Sequence, residues 1–150
     1  MIKKILVALD GSEAANKALD FALDLAEKYS ADILLFTVVQ PVTMPFYVFE
    51  EVPTPIVPEH ATFSKRLEAY SRDLLSEILK KVKKEKPKLN VSSRLEEGQP
   101  ADKIVKIAKD EGVDVIVIGS RGLSGVKEWL LGSVSDRVAD KADCPVLIVK

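Results

Sequence analysis

Three glycines and a serine recur at a fixed spacing directly after the apolar run Val115–Ile118. The pattern is Gly119-Ser-Arg-Gly122, then nine residues, then Gly132-Ser133. A strand that ends in glycines and leads towards the start of a helix presents backbone N–H groups that no side chain covers. Phosphate oxygens bind such groups. The spacing therefore predicts a site for a phosphorylated ligand at this point of the chain.

The same residues have simpler interpretations. The first two glycines could be turn glycines, since isolated glycines usually only punctuate the chain. Ser133 could be an N-cap, a role that coexists with ligand binding. Asp10, which follows the first apolar run, could only cap the turn after that run. Arg121 and Lys127 could neutralise phosphate charge or be solvated surface cations, and the sequence does not decide between the two.

The elements that must position these residues alternate along the chain. Ile2–Leu9 is a nearly continuous apolar run, which is typical of a strand buried on both faces of a parallel sheet. Ser12 has the residue type of an N-cap for the helix that follows. Further strands are predicted at Ile33–Val39, Val91–Leu95, Asp114–Gly119 and Pro145–Lys150, and further helices at about 59–85, from Pro100 to before Gly112, and at 133–141.

The sequence predicts the surroundings of the second helix, of the third strand and of one loop in more detail. The apolar face of the second helix is predicted to consist of Phe63, Leu67, Tyr70, Leu74, Ile78 and Val82. Val91–Leu95 is polar and therefore suits the edge of a sheet. Prolines between residues 40 and 58 predict a long loop, because they remove donors and interrupt any regular helix.

The order of elements, βαβαβαβαβ, predicts an α/β fold with one domain over residues 1–150. We expect a doubly wound, Rossmann-like fold with a five-stranded parallel sheet and helices on both faces. If the first and fourth strands are neighbours in the order 3-2-1-4-5, the strand order reverses between Asp10 and Gly119. Ligands of such sheets bind beyond the carboxyl ends of the strands at this reversal. Both segments are therefore expected in one site.

Composition limits the class of partner. The chain has 22 Lys and Arg residues against 23 Asp and Glu residues, so no overall positive field attracts nucleic acid or an anionic membrane. Cys144 and His60 are the only residues of their types, which excludes an internal disulfide and a zinc cluster. The N-terminal apolar stretch is too short for a signal peptide, and no run of about eighteen apolar residues occurs. These features predict a cytoplasmic protein in which Cys144 is a structural thiol.

The common phosphate motifs do not match: the chain contains neither G-x-x-x-x-G-K-[ST] nor G-x-G-x-x-G. The segment instead resembles the universal stress protein family, whose ATP-binding members carry G-x2-G-x9-G-[S/T] after the fourth strand. Gly119, Gly122, Gly132 and Ser133 satisfy that pattern. The resemblance extends over essentially the whole chain, from the opening Lys-Lys-Ile-Leu-Val-Ala-Leu-Asp-Gly-Ser to the closing Cys-Pro-Val-Leu-Ile-Val.

The resemblance implies ATP with Mg or Mn as the ligand. Asp10 matches the family acid near the ribose and the metal-bound phosphates, which makes Asp10 the expected metal ligand. Val38 matches the residue whose backbone meets adenine, and Ala8 and Leu9 would line the same side. The residues that match the stretch around ribose and phosphates are Gly119, Arg121, Gly122, Gly132, Ser133, Val134 and Ser135.

The resemblance further implies a nucleotide-dependent regulator or switch in the stress response. Hydrolysis needs a positioned base or water-orienting group, and we identify no catalytic residue, so any turnover should be slow or partner-dependent. Two alternatives stay open: a Mg-dependent ATP hydrolase or phosphotransferase, and a nucleotide-free dimeric interaction module. Strand 5, Pro145–Val149, is an apolar sheet edge and predicts a homodimer, since family members similarly pair through this strand. A further, unidentified protein partner would suit a regulator.

Overall fold

A computed structural model of the chain describes residues 1–41, 59–122 and 131–150, without the side chains of residues 59–62. The predicted proline-rich loop, apart from residues 40 and 41, lies outside these residues, as do Lys127 and the side chain of His60. Within the described ranges, each helix is too short or too polar to span a bilayer.

In these described ranges, nine elements follow one another in the order predicted. The strands are β1 (Lys4–Ala8), β2 (Asp32–Val39), β3 (Val91–Glu97), β4 (Val115–Gly119) and β5 (Val146–Val149). The helices are α1 (Glu13–Tyr29), α2 (Glu59–Glu85), α3 (Pro100–Asp110) and α4 (Ser133–Lys141). All strand pairs are parallel and the sheet order is β3-β2-β1-β4-β5, which confirms the predicted fold and places the polar strand β3 at an edge.

Local chemistry sets the helix ends. The Ser12 hydroxyl accepts a hydrogen bond from Ala15 N at 3.1 Å and so caps α1, as predicted. Pro100 occupies the first turn of α3, where its missing N–H costs nothing. Gly112, just beyond the end of α3, has a φ of +61°, a conformation that glycine adopts without a steric penalty.

Two apolar layers enclose the sheet. One layer packs α1 and the second half of α2 on one face, and the other packs α3 and α4 on the opposite face. The predicted apolar face of α2 is partly wrong, because Phe63 and Tyr70 are 56% and 64% exposed. Of the side chains that the structure describes in this helix, Leu75 and Val82 are buried. Helical periodicity identifies a face, but it does not tell which turns of the helix reach the sheet.

Candidate functional site

The loops that follow β1 and β4 meet at the carboxyl edge of the sheet. β1 and β4 are parallel neighbours, so the segments after them leave the sheet side by side. Ser12 Oγ lies 3.4 Å from Arg121 O, to which it donates a hydrogen bond. A Cβ atom built on Gly122 would lie 2.9 Å from Asp10 Oδ2. The structure thus brings together the two segments that the sequence predicts for one site.

Asp10 combines a structural role with an exposed position. Its Oδ1 atom accepts a hydrogen bond from Ser12 N at 2.9 Å, which closes the turn between β1 and α1. The residue is exposed, and its Oδ2 atom lies beside Gly122. The turn-capping interpretation of Asp10 is therefore correct, and it leaves one carboxylate oxygen directed towards the loop after β4.

The start of α4 is held by main-chain bonds. Gly132 is the N-cap residue, and its N–H donates to Ser120 O at 2.7 Å. The interpretation of Ser133 as the N-cap is wrong, because Ser133 is the first helical residue and is exposed. Since glycine has no side chain, no side-chain hydrogen bond caps the helix. Ser133, Val134 and Ser135 thus form the first turn of α4, where the positive end of the helix dipole and N–H groups without an intrahelical partner lie.

Ser135 differs from Ser133 although both carry a hydroxyl. Ser135 is 2% exposed, and its Oγ atom donates to Gly132 O at 2.9 Å and lies 3.3 Å from Ser120 O. Its hydroxyl is thus used for hydrogen bonds inside the protein. Its backbone N–H belongs to the first turn of α4. Val134, between the two serines, packs partly against the core on the α3 and α4 side of the sheet.

The residues predicted near the base divide between the two faces of the sheet. The side chains of Ala8 and Val38 belong to the α3 and α4 side, together with that of Val134. Leu9 belongs to the opposite layer, is 4% exposed, and donates its N–H to Phe36 O at 2.9 Å. The prediction that Ala8 and Leu9 line the same side is wrong for their side chains, because successive residues of an extended chain point to opposite faces.

The three motif glycines differ in what a Cβ atom at each position would contact. A Cβ atom on Gly119 would lie 2.7 Å from the carbonyl carbon of Ala14, so this glycine lets the first turn of α1 approach the end of β4. A Cβ atom on Gly132 would lie 3.1 Å from Ser120 O, an acceptor of the α4 cap. Only Gly122, of the three, has a site side chain as its nearest neighbour, namely the Asp10 carboxylate. The structural interpretation therefore applies to Gly119 more than to Gly122.

Ser120 is the residue that motif reasoning missed. It occupies an unspecified position of the glycine pattern, is 5% exposed, and bonds through its main chain to both β5 and α4. Its N–H donates to Val149 O at 2.7 Å. No residue-type signal could have identified it, because these bonds use the backbone. Arg121, next in the chain, is half-buried at the same edge.

Cys144 lies away from this site, just before the amino end of β5. Burial raises the pKa of its thiol above the ordinary value. A raised pKa lowers the fraction of reactive thiolate, which supports the prediction of a structural thiol.

Comparisons with known proteins agree with this architecture. The family model described as "Universal stress protein family" matches residues 1–150. Universal stress protein YxiE of Bacillus subtilis is 38% identical over 152 residues, covering 100% of both chains. The structure of MJ0577 of Methanocaldococcus jannaschii is similar with a TM-score of 0.75 at 32% identity, covering 100% of this chain and 96% of that one.

A second similar structure is a universal stress protein in complex with cAMP. It has a TM-score of 0.69 at 25% identity and covers 99% of this chain and 97% of that one. The family match over every residue, the identity to YxiE and the shared sheet order lead to one conclusion. This chain belongs to the universal stress protein family.

Proposed function

We propose that this protein binds ATP at the carboxyl edge of β1 and β4 and acts as a nucleotide-dependent regulator of the stress response in the cytoplasm. Residues 1–150 form a single domain in this proposal. The observation that carries it is the junction of the Asp10 loop with the start of α4. There, an exposed carboxylate, the half-buried Arg121 and a helix start without a side-chain cap adjoin one another.

The helix start supplies the phosphate-binding chemistry. The N–H groups of Ser133, Val134 and Ser135 belong to the first turn of α4, and the helix dipole favours negative charge there. Gly122 itself places no side chain beside Asp10, where a Cβ atom would lie 2.9 Å from Oδ2. Ala8 and Val38 lie on the same face of the sheet as Val134, so a base bound against β1 and β2 is on the side from which α4 begins.

Asp10 fits Mg or Mn as one ligand among several. Among the described residues, no group of three or more His, Cys, Asp or Glu side chains could hold a metal ion by itself. Mg²⁺ commonly uses one or two carboxylates together with phosphate oxygens and water. Asp10 would therefore hold the ion jointly with the phosphates, and the bound ion would offset the negative charge of the phosphate chain.

The complex of a similar universal stress protein with cAMP supports an adenine nucleotide as the ligand. The regulatory role follows from what the site offers: groups that hold phosphates, without an assigned catalytic base. Hydrolysis requires a group that orients or deprotonates the attacking water. Binding of the nucleotide without rapid hydrolysis suits a regulator whose activity depends on whether the nucleotide is bound.

The dimer belongs to the same proposal. β5 is the sheet edge next to β4, and all four of its residues are only partly buried. An apolar strand with unpaired N–H and C=O groups is prone to pair with another strand. We expect two copies of the chain to associate through β5.

Titration calorimetry with Mg·ATP tests the ligand. The wild type, stripped of ligand, should release heat with a one-to-one stoichiometry, and Asp10→Asn should bind at least about tenfold more weakly because one metal ligand loses its charge. Asp32→Asn is the matched control, since Asp32 is an exposed residue at the opposite edge of the sheet. Absence of heat from the folded wild type would refute the proposal.

Phosphate release distinguishes the enzyme alternative. Wild-type protein with Mg·ATP should release phosphate at a rate close to that of buffer alone. A rate far above that of buffer that disappears in Asp10→Asn would instead favour a hydrolase.

A further inference from the structure

Ser120 connects the site with the edge strand through a single residue. Its N–H donates to Val149 O of β5 at 2.7 Å, and its C=O accepts from Gly132 N, the cap of α4, at 2.7 Å. The same carbonyl oxygen lies 3.3 Å from Ser135 Oγ. Ser120 is 5% exposed, so these bonds are shielded from water. From this geometry we infer that nucleotide binding and β5 pairing are energetically coupled through Ser120, an inference that rests on the proposed function.

The contact between Ser120 and α4 leaves little freedom. A Cβ atom on Gly132 would approach Ser120 O to 3.1 Å, so the two backbones touch. Ser135 Oγ donates to Gly132 O at 2.9 Å, which closes a short ring of bonds through Gly132, Ser135 and Ser120. A displacement of Ser120 must therefore move the first turn of α4, whose N–H groups form the phosphate side of the proposed site.

The contact between Ser120 and β5 transmits changes at the edge. Ile116 N donates to Pro145 O and Ser120 N donates to Val149 O. Since alternate residues of a parallel strand bond to one neighbour, Val146 and Ile148 direct their N–H and C=O groups to the free edge. Pairing these groups with a second copy fixes the position of β5. It thereby fixes Val149 O, the acceptor of the hydrogen bond from Ser120 N.

A second route runs through side chains. Val146 and Ile148 pack partly against the same apolar layer as Val134 and the buried Val138 of α4. A strand that is fixed at its outer edge therefore also presents a fixed surface to α4. Both routes favour one position of the helix start, which lowers the entropic cost of binding phosphates there.

Coupling of this kind is reciprocal, so it can be measured from either side. Saturating Mg·ATP should tighten the dimer by at least about fivefold, the lower end of ordinary coupling between two sites. Sedimentation velocity over a dilution series, with and without Mg·ATP, gives the two dimer dissociation constants. Because each dimer would hold two nucleotides, calorimetry below and above the dimer dissociation constant should show a ratio of Mg·ATP affinities equal to the square root of the ratio of the two dimer constants.

Two serine variants test the route. Ser135→Ala removes the hydroxyl that bonds to Gly132 O and lies beside Ser120 O, and should bring the ratio towards one. Ser133→Ala is the matched control: it removes an exposed hydroxyl from the same turn and should retain the wild-type ratio, whatever it does to the affinity. A Ser135→Ala ratio equal to that of the wild type would overturn the route through Ser120.

The outcomes separate the inference from the proposed function. If Mg·ATP binds and the dimer forms, but each constant is independent of the other, the coupling is wrong and the proposed function stands. If the folded protein binds no Mg·ATP, both fail. If the protein stays monomeric at every concentration with Mg·ATP, the dimer and the coupling fail while ATP binding stands. Ile148→Lys, expected to be monomeric, should bind Mg·ATP with the affinity of the diluted wild type.

Discussion

At the scale of single residues, Asp114 shows how one carboxylate can hold two strands together. Its Oδ2 atom accepts hydrogen bonds from Lys3 N at 2.7 Å and Lys4 N at 2.9 Å, which connects the start of β1 to the residue before β4. These backbone N–H groups hold the pKa of Asp114 below its ordinary value of 3.8. A carboxyl group whose pKa is lower in the folded state stabilises that state when it is ionised.

We predict that Asp114→Asn lowers the midpoint of thermal unfolding by a few degrees at pH 7. The wild-type advantage is fully present above the unfolded pKa, near 3.8, and is lost as the pH falls through the lower, folded pKa. Thermal unfolding at pH 7 and at successive values below 4 should therefore show the two proteins converge. Asp32→Asn serves as the control. An equal difference between wild type and Asp114→Asn at every pH would contradict the assignment.

Asp10 shows that the type of a residue does not by itself determine its role. The sequence offered two roles, a turn cap and a ligand group, and the geometry contains the first while leaving an oxygen for the second. Ser133 and Ser135 are the same residue type two positions apart, yet one is exposed and the other is 2% exposed. That difference depends on the exact start of α4, which a motif cannot fix to one residue.

At the scale of elements, the glycine pattern joins packing with the proposed ligand binding, and substitution can separate the two. Gly119→Ala should destabilise the protein by about 1–3 kcal/mol, because the new Cβ would meet the backbone of Ala14 at 2.7 Å and α1 would have to move. Gly122→Ala should leave stability within about 0.5 kcal/mol of the wild type, since among the described residues the new Cβ would meet only the end of the Asp10 side chain.

Urea denaturation and Mg·ATP calorimetry on both variants check this prediction. Gly122→Ala should weaken Mg·ATP binding, because the displaced Asp10 carboxylate is the proposed metal ligand. A Gly122→Ala protein with normal affinity would remove Asp10 from the site. Equal losses of stability in the two variants would contradict this prediction. They would show that the backbone beside Gly119 is displaced as easily as the side chain beside Gly122.

The elements themselves were largely predictable, and the reasons are physical. Continuous apolar runs such as Ile2–Leu9 indicate strands buried on both faces, and the order βαβαβαβαβ leaves few parallel topologies. The exposure of Phe63 and Tyr70 was not predictable, because periodicity along α2 carries no information on where the sheet ends. Strand geometry explains why the side chains of Ala8 and Leu9 lie on opposite faces of the sheet. Matching a residue to a position in a family does not by itself tell to which face its side chain points.

At the scale of the whole molecule, the chain carries a net charge of −1, so no long-range field gathers anions. In the proposed site, local groups would hold the nucleotide: the start of α4, Arg121 and, with a metal, Asp10. This makes affinity sensitive to how many phosphates reach those groups. On the proposed function, ATP with its three phosphates would engage both the helix start and a metal bound by Asp10, whereas AMP would have a single phosphate to share between them.

A ligand that binds only the folded state raises the free energy of unfolding by RT ln(1 + [L]/Kd). With Mg·ATP at about a hundred times its dissociation constant, the gain should be about 2.7 kcal/mol. AMP at the same free concentration should give a smaller gain. Urea denaturation at one fixed protein concentration measures both, since a dimer would otherwise add its own concentration dependence. Equal gains from the two nucleotides would mean that the terminal phosphates make no net contact, and a site that engages the start of α4 and a metal on Asp10 at the same time would then have to be abandoned.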